Sequence, residues 1–528
     1  MGSLHTGAEA MCTGSVIRKN EYHDSVFLMR VARRISDEKG IDQAALFMGT
    51  PKNKELLAEI GIPAGDLATA TPGDLILAVK ARSRERLADV LENLDRWLQA
   101  EPARVNSAAV RDLSDALARQ PQANLAVISV PGAYAAGEAQ KALEGGLHVF
   151  IFSDNVPVER ELFLKRYARK RGLIVMGPDC GTSLIGGTGI GFANVVRPGP
   201  IGVIGASGTG IQEFTTLVHR SGSGISHAIG TGSRDLSDDV GGISMLTALD
   251  ALASDLSTKT IALLSKPPGP LALARLVPRI RQCPKPVVVC FLGWNGETAP
   301  ADDAWHPART LDEAAALSVQ TAAGLLPTPF RPDDTRFEAL AFRERAAMHP
   351  LQKYVRGLFA GGTFCCQAQQ LFTDAGLAAY SNAPIGGNRK LAVHAASREH
   401  TLIDMGADEF TAGRPHPMMD SRLRRERILG ESKDPAVAVL LLDFLLGFNS
   451  PADPVGELAP AIAEAKGDVK KRGGFLSVVA SVCGTDGDPQ GLDGQVARLE
   501  AEGAVVMPSS AQAARFAALL AVNAQGGM

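Results

Sequence analysis

Ile201-Gly-Val-Ile-Gly-Ala-Ser-Gly-Thr-Gly-Ile-Gln-Glu213 is the stretch that decides the fold. An apolar run, Ile201 to Ile204, opens into a turn of small residues, and a helix-like pattern from Ile211 to Arg220 follows. A strand that ends in glycines and starts a helix is half of a βαβ unit. The same order recurs on both sides. Ala44–Met48 precedes Gly49-Thr50-Pro51, Leu125–Val130 precedes Pro131-Gly132, and His148–Ser153 leads into Val158–Arg171. Ile174–Met176 ends in Gly177-Pro178, Ile261–Leu264 in Ser265-Lys266-Pro267-Pro268-Gly269, and Val287–Phe291 in Gly293-Trp294-Asn295-Gly296. Alternation of this kind predicts an α/β protein with parallel sheets covered by helices on both faces. Ligands bind such sheets where strands end, so these turns are the places to look.

The chain has 528 residues, enough for about three domains of ordinary size. Its balance of 45% hydrophobic and 21% charged residues predicts a folded globular protein. Aromatics are scarce at 5% while glycines number 55, which suits closely packed α/β layers. The net charge of -3 excludes the basic footprint of a nucleic-acid binder. Seven cysteines, odd in number, scattered and without a Cys-x-x-Cys, argue against a disulfide framework or a zinc site and for a reducing cytoplasm. The longest apolar run, Val437–Leu446, is too short to span a bilayer and carries Asp443, so no membrane segment is expected.

Three prolines within Leu326-Pro-Thr-Pro-Phe-Arg-Pro-Asp-Asp334 mark a linker. A second α/β body follows, with strands expected near Thr401–Met405, Val437–Leu442, Phe475–Val479 and Ala504–Met507. A weaker boundary falls at Arg197-Pro-Gly-Pro200, and Lys80–Ala118 reads as a mostly helical cap on the first domain.

Four loops carry groups suited to chemistry. In Gly205–Glu213, glycines and free N–H groups at a helix start attract an anion, with Ser207 and Thr209 adding hydroxyls; an ordinary helix cap explains the same residues equally well. Arg234 in Gly230–Asp239 is either a phosphate ligand or part of a turn held by internal salt bridges. Lys266, at a strand's carboxyl end and stiffened by two prolines, is placed for an anionic substrate or is a plain surface lysine. Asp404–Pro417 crowds acids, Arg414 and His416 into one loop. His416, between two prolines, is a candidate acid or base near neutral pH, the alternative being a hydrogen-bonded clamp. No metal-ligand spacing accompanies it.

With these residues in view, the chain resembles the FdrA family, itself similar to succinyl-CoA synthetase. The resemblance rests on Tyr22–Met29, Met48–Lys54, Met176–Gly181, Gly205–Glu213, Gly357–Gly362 and Gly413–Pro417, and it covers nearly the whole chain. It implies a Rossmann-like CoA-binding-type domain at 1–196. Flavodoxin-like ligase domains follow, of α-subunit type at 197–326 and of β carboxyl-terminal type at 335–528. Ser207, Gly208, Thr209 and Gly210 match the helix start that faces the transferred phosphate, and Gly447-Phe-Asn449 falls near the β-type phosphate-facing turn. A CoA site would lie near Gly49, Thr50, Pro131 and Gly132.

Two departures accompany the match. Lys266 stands where the synthetase has a glutamate that orients its phosphohistidine. Gly293-Trp-Asn-Gly-Glu-Thr298 stands where the synthetase has Gly-His-Ala-Gly, and the nearest histidine, His306, lacks flanking glycines. No stretch resembles the ATP-grasp domain. The resemblance therefore implies a cytoplasmic, oligomeric transferase subunit that uses phosphate as a substrate. Lys266, Arg414 and His416 would be catalytic, no metal would be needed, and CoA is a candidate ligand. The activity expected from the family is oxamate carbamoyltransferase, converting oxalurate and phosphate to oxamate and carbamoyl phosphate in anaerobic allantoin or purine nitrogen use. Companion subunits and a carbamate kinase would be its partners. The alternatives are an NDP-forming acyl-CoA synthetase subunit acting on an acyl donor, and a non-catalytic CoA- or metabolite-binding regulator.

Overall fold

The computed structural model describes residues 12–525, apart from 24, 51–52, 55–56, 58–66, 100–109, 111, 295–304, 329, 331–333, 393–394 and 412–415. The described residues fall into two compact units, one up to 122 and one of 123–411 with 416 onward.

The N-terminal unit opens with β1 (Cys12–Arg18), a helix over Ser25–Ser36, β2 (Ile41–Met48) and β3 (Leu75–Ala81). The sheet order is β1-β3-β2, and β3 runs antiparallel to both neighbours. Leu28, Val31 and Ile35 form one stripe of the first helix and pack on Leu46, Leu75, Leu77 and Val79. Helices follow at Arg84–Glu92, Leu94–Leu98 and Leu113–Arg119. The 1–196 segment, expected as one Rossmann-like domain, divides among the described residues: β1, β2 and β3 with the Ser25–Ser36 helix form an antiparallel split βαβ unit, and the parallel strands begin at Leu125. A buried apolar run such as β3 reads the same in either kind of sheet, which is why periodicity alone did not separate them. The expected helical cap also gives up its start, because Lys80 and Ala81 belong to β3.

The larger unit begins with three parallel strands, β4 (Leu125–Ile128), β5 (His148–Ile151) and β6 (Val175–Met176), joined by helices Gly132–Glu144 and Val158–Lys170. A seven-stranded sheet follows: β7 (Thr182–Ile185), β8 (Thr188–Gly191), β9 (Pro198–Gly205), β10 (Ile225–Gly230), β11 (Thr260–Ser265), β12 (Val287–Phe291) and β13 (Trp305–Pro307). Its order is β13-β12-β11-β9-β10-β7-β8, parallel from β13 to β10. The last sheet is parallel throughout, in the order β16-β15-β17-β14-β18-β19-β20. Its strands are β14 (Tyr354–Phe359), β15 (Tyr380–Ser381), β16 (Arg389–Lys390), β17 (Thr401–Asp404), β18 (Val437–Leu445), β19 (Ser477–Cys483) and β20 (Val505–Met507).

The two large sheets share one core, in which Phe214, Leu311, Phe364, Phe372 and Phe516 are all buried. Polar groups fix the seam. Glu213 accepts from the Ser510 amide at 2.8 Å, and Asp488 accepts from Asn194 Nδ2 at 2.7 Å and the Val195 amide at 2.8 Å. The Gly447–Asn449 turn belongs to this seam. The Phe448 amide donates to the Ala193 carbonyl, and Asn449 Nδ2 donates to the Gly191 carbonyl. Gly447, at φ 105°, lies so close to the Ala193 carbonyl that a side chain would collide with it.

His400 lies in this core, 3% exposed, with Nδ1 accepting from the Val355 amide and Nε2 without a partner among the described residues. Burial, with help from the Arg356 guanidinium, holds its pKa at about 4 against an ordinary 6.5. Between those values the unfolded chain takes up a proton that the folded chain refuses. The resulting stability is present above pH 6.5 and is lost as pH falls toward 4. At 1.36 kcal/mol per pH unit it amounts to about 3 kcal/mol. Urea unfolding followed by circular dichroism should therefore show a smaller loss between pH 7 and pH 4.5 in His400→Gln than in the parent. An unchanged pH slope would show that His400 is not a source of the acid lability.

Candidate functional site

Several helices that start at strand ends in the larger unit carry their own anion. Asp235 accepts from the Ser244 and Met245 amides at 3.1 and 2.9 Å. Asp238 accepts from the Leu271 and Ala272 amides at 2.8 and 3.2 Å. Asp453 accepts from the Gly456 amide at 3.0 Å. Each carboxylate satisfies orphan N–H groups and complements the helix dipole.

Two helices differ. At Gly208–Arg220 the cap is the neutral Ser207, whose Oγ accepts from the Gly210 amide at 3.2 Å. At Gly362–Asp374 the cap is Gly361, which offers no side chain. The amides of Gly208, Thr209, Gly362 and Thr363 have no acceptor among the described residues. These two starts meet: Ser207 Oγ touches Thr363 Oγ1, and Thr209 Oγ1 lies 3.1 Å from where a Cβ on Gly361 would stand. Two uncompensated dipole ends thus converge on one spot, and the small residues let solvent reach it.

Lys266 and Asp404 form the wall beside the Gly362 helix start. Lys266 is half exposed, and its Nζ is 4.0 Å from Asp404 Oδ2. Asp404 ends β17 with its backbone clamped by Asn382, whose Oδ1 accepts from the Asp404 amide and whose Nδ2 donates to its carbonyl, both at 2.9 Å. Its Oδ1 accepts from the Gly406 amide at 3.0 Å. Burial raises its carboxyl pKa, Lys266 and the Gly406 amide pull it back, and Asp443 and Glu409 add to the rise.

Behind this wall, Asp443 accepts from the Ala360 amide through Oδ1 and from the Gly361 amide through Oδ2, each at 2.8 Å. It also pairs with Arg424 at 3.0 Å, both groups being almost fully buried. Asp443 therefore holds the turn that aims the Gly362 helix.

Among the residues expected from sequence, Ser207, Gly208, Thr209 and Lys266 come together here. Gly210 is at the same helix start, but its amide is taken by Ser207. His416 does not fit an acid–base role near neutral pH. Its Nδ1 accepts from the Met418 amide, its ring packs on Gly406, and burial with the nearby Arg424 charge lowers its pKa to about 4. It is a neutral loop clamp at pH 7. Arg414 lies outside the described residues. Arg234 is consumed by Glu161 at 2.9 Å and the Val156 carbonyl at 2.7 Å. Cys180 is buried, its thiol pushed up to about 12, so it is no nucleophile. Gly49 and Gly132 are explained by close backbone approach, to Thr71 and to Asp154–Asn155 respectively, while Pro131 caps the Gly132–Glu144 helix and the Thr50 carbonyl takes the Lys54 amide. Sequence reasoning missed Gly362, Thr363 and Asp443. The available signal was Ala360-Gly-Gly-Thr363, which follows a strand much as Gly205-Ala-Ser-Gly-Thr209 does.

Three family models match stretches of the chain. The CoA-ligase family model matches residues 358–520, and the CoA binding domain model matches 196–277. A model described as AllF, heavy metal-associated domain, matches 11–113. No group of three or more His, Cys, Asp or Glu among the described residues is arranged to hold a metal. Over 496 residues the chain is 40% identical to "Uncharacterized protein YahF" of Escherichia coli (strain K12), covering 94% of this chain and 96% of that one. The chain belongs to the YahF family. Its ligase portion is succinyl-CoA synthetase-like. It is 30% identical over 180 residues to the succinate–CoA ligase [ADP-forming] α subunit of Methanothermobacter thermautotrophicus, covering 34% of this chain and 59% of that one. The chain thus spans under two thirds of that relative's length. A dinucleotide-forming acetyl-coenzyme A synthetase 1 from Ca. Korarchaeum cryptofilum aligns over 76% of this chain and 84% of that one, at 18% identity and a TM-score of 0.30. No helix among the described residues is long and apolar enough to cross a membrane. The segment matched as CoA-binding contains Ser207–Gly210 and Lys266 but neither Gly49–Thr50 nor Pro131–Gly132.

Proposed function

We propose that this chain is a CoA-ligase-type subunit of the FdrA kind, which exchanges an acyl group between a thioester and phosphate at the paired helix starts. The observation that carries this reading is the convergence of two helix N-termini that lack a carboxylate cap, with Ser207 against Thr363 and Lys266 beside them. Fixed N–H donors and an ammonium hold an anion and meet the charge that develops when its oxygen attacks a carbonyl. The CoA-ligase and CoA-binding matches supply the acyl-thioester side of the reading. Without an ATP-grasp stretch of its own, the chain would take any nucleotide step from a companion subunit. Carbamoyl transfer, expected from the FdrA resemblance, is displaced as the main reading, because the matched families support the CoA-ligase alternative.

The test has two parts. Phosphate-dependent thiol release from a panel of acyl-CoA thioesters that includes succinyl-CoA is expected, with oxalurate and phosphate as the competing pair; turnover of oxalurate alone would reverse the choice. Calorimetric titration with phosphate is expected to show ten- to a hundredfold weaker binding in Lys266→Met, with an unchanged circular dichroism spectrum. One unit charge at ~4 Å is worth about 4 kcal/mol at an effective dielectric of 20, and desolvation leaves about 1–3 kcal/mol of it. Equal affinity in parent and variant would leave Lys266 as a turn residue.

A further inference from the structure

Asp404 is out of place in a seat built for anions. The groups at the two helix starts are donors or a cation: the amides of Gly208, Thr209, Gly362 and Thr363, the Ser207 and Thr363 hydroxyls, and the Lys266 ammonium beside them. Asp404 is an acceptor when ionised, and its side chain is only 8% exposed. Its position is enforced. Asn382 clamps its backbone on both sides, and Oδ1 is spent on the Gly406 amide. Oδ2 accepts no hydrogen bond from any described residue and is directed at Gly362, where a side chain would collide with it. Lys266 Nζ lies 4.0 Å away and leaves this oxygen without a hydrogen bond, and the oxygen fits one further role. It accepts a hydrogen bond from an anion that still carries a proton.

We infer that Asp404 is the specificity-determining residue of the seat, selecting hydrogen phosphate, which presents a hydroxyl, over a fully ionised anion of the same shape. This rests on the reading of the seat as a phosphate site. At pH 8 phosphate is HPO4²⁻ with one O–H, whereas sulfate is SO4²⁻ with none. Against sulfate, Asp404 Oδ2 faces an oxygen with no proton between them, a repulsive contact in a largely buried place. Against phosphate the same oxygen gains a charge-assisted hydrogen bond.

The groups facing Asp404 are Lys266 after β11, Asp443 on β18, Glu409 on the short Asp408–Thr411 helix, and the Gly406 turn backed by His416. His416, at about 4, stays neutral between pH 8 and pH 5. Protonation of Asp404 as pH falls turns it into a donor, so sulfate affinity should rise in that direction, helped by the burial that favours its protonated form.

The experiment is calorimetric titration of the full chain with inorganic phosphate and with sulfate, at pH 8 and pH 5, for the parent and Asp404→Asn. The parent should prefer phosphate by about tenfold or more at pH 8, because an unmatched buried acceptor costs about 1–3 kcal/mol and 1.4 kcal/mol is tenfold. The preference should shrink to within about threefold in Asp404→Asn, chiefly through tighter sulfate binding. In the parent alone, sulfate should bind more tightly at pH 5 than at pH 8; this arm needs no variant. If parent sulfate and phosphate affinities are equal at pH 8, or the preference survives in a folded Asp404→Asn, the inference on Asp404 fails while the phosphate seat stands. If neither anion binds, the seat reading fails and takes the inference with it.

Discussion

Asp443→Ala should lower the stability of the chain by about 3–5 kcal/mol, the cost of leaving a buried partner charge uncompensated. Arg424 is 3% exposed and has its guanidinium on Asp443 Oδ1, with further bonds to the Leu358 and Asp443 carbonyls at 3.1 and 2.7 Å. Without the carboxylate, the charge keeps two carbonyls and loses its counter-ion, and Arg424 Nε already lacks a partner among the described residues. The amides of Ala360 and Gly361 lose their acceptor at the same time. The measurement is the urea midpoint of the larger unit by fluorescence or circular dichroism. A loss below about 1 kcal/mol would mean that water replaces the carboxylate and that the pair is not isolated from solvent. Asp443→Asn should recover part of the loss, since its carbonyl can still accept one amide, but not the charge pairing.

The same pair shows where sequence reading stops. Runs such as Val437–Leu445 and Ser477–Cys483 were legible because parallel strands buried on both faces are apolar almost throughout. Tyr354–Phe359 was not, because Arg356 breaks the run. In the fold that arginine is buried, satisfied by Glu431 at 2.9 Å and Asp434 at 2.7 Å from distant helical and loop positions. A charge neutralised by residues about 75 positions away has no local signature. Without this strand the Gly357–Gly362 stretch counted only toward the family resemblance, and half of the site went unassigned. Ser207 and Lys266 could be nominated from the loops that carry them, since each stands at its own strand end. That Thr363 stands against Ser207, 156 residues earlier, follows only from the packing of two sheets on one core. His416 failed for a related reason. Its flanking prolines announced rigidity, but the burial and the Arg424 charge that keep it neutral come from tertiary structure.

Gly362→Val should abolish phosphate binding, weakening it at least about a hundredfold, while costing the fold about 1–3 kcal/mol. The reason is space rather than backbone freedom. A Cβ at this position runs into Asp404 Oδ2 and stands 3.1 Å from both Asp404 Cγ and Lys266 Nζ. Asp404 cannot withdraw, because Asn382 holds its amide and carbonyl and Gly406 holds Oδ1. Lys266, a flexible and half-exposed chain, is therefore the group that moves, and it moves away from the seat. The valine methyls then cover the Gly362 and Thr363 amides that an anion would need. Gly137→Ala is the matched control: it also adds a side chain in the first turns of a strand-following helix, but nothing lies within 4 Å of its Cβ. It should leave phosphate binding unchanged and stabilise the helix by about 0.5–1 kcal/mol. Full phosphate affinity in Gly362→Val would place the anion elsewhere and end the assignment of the paired helix starts as its seat.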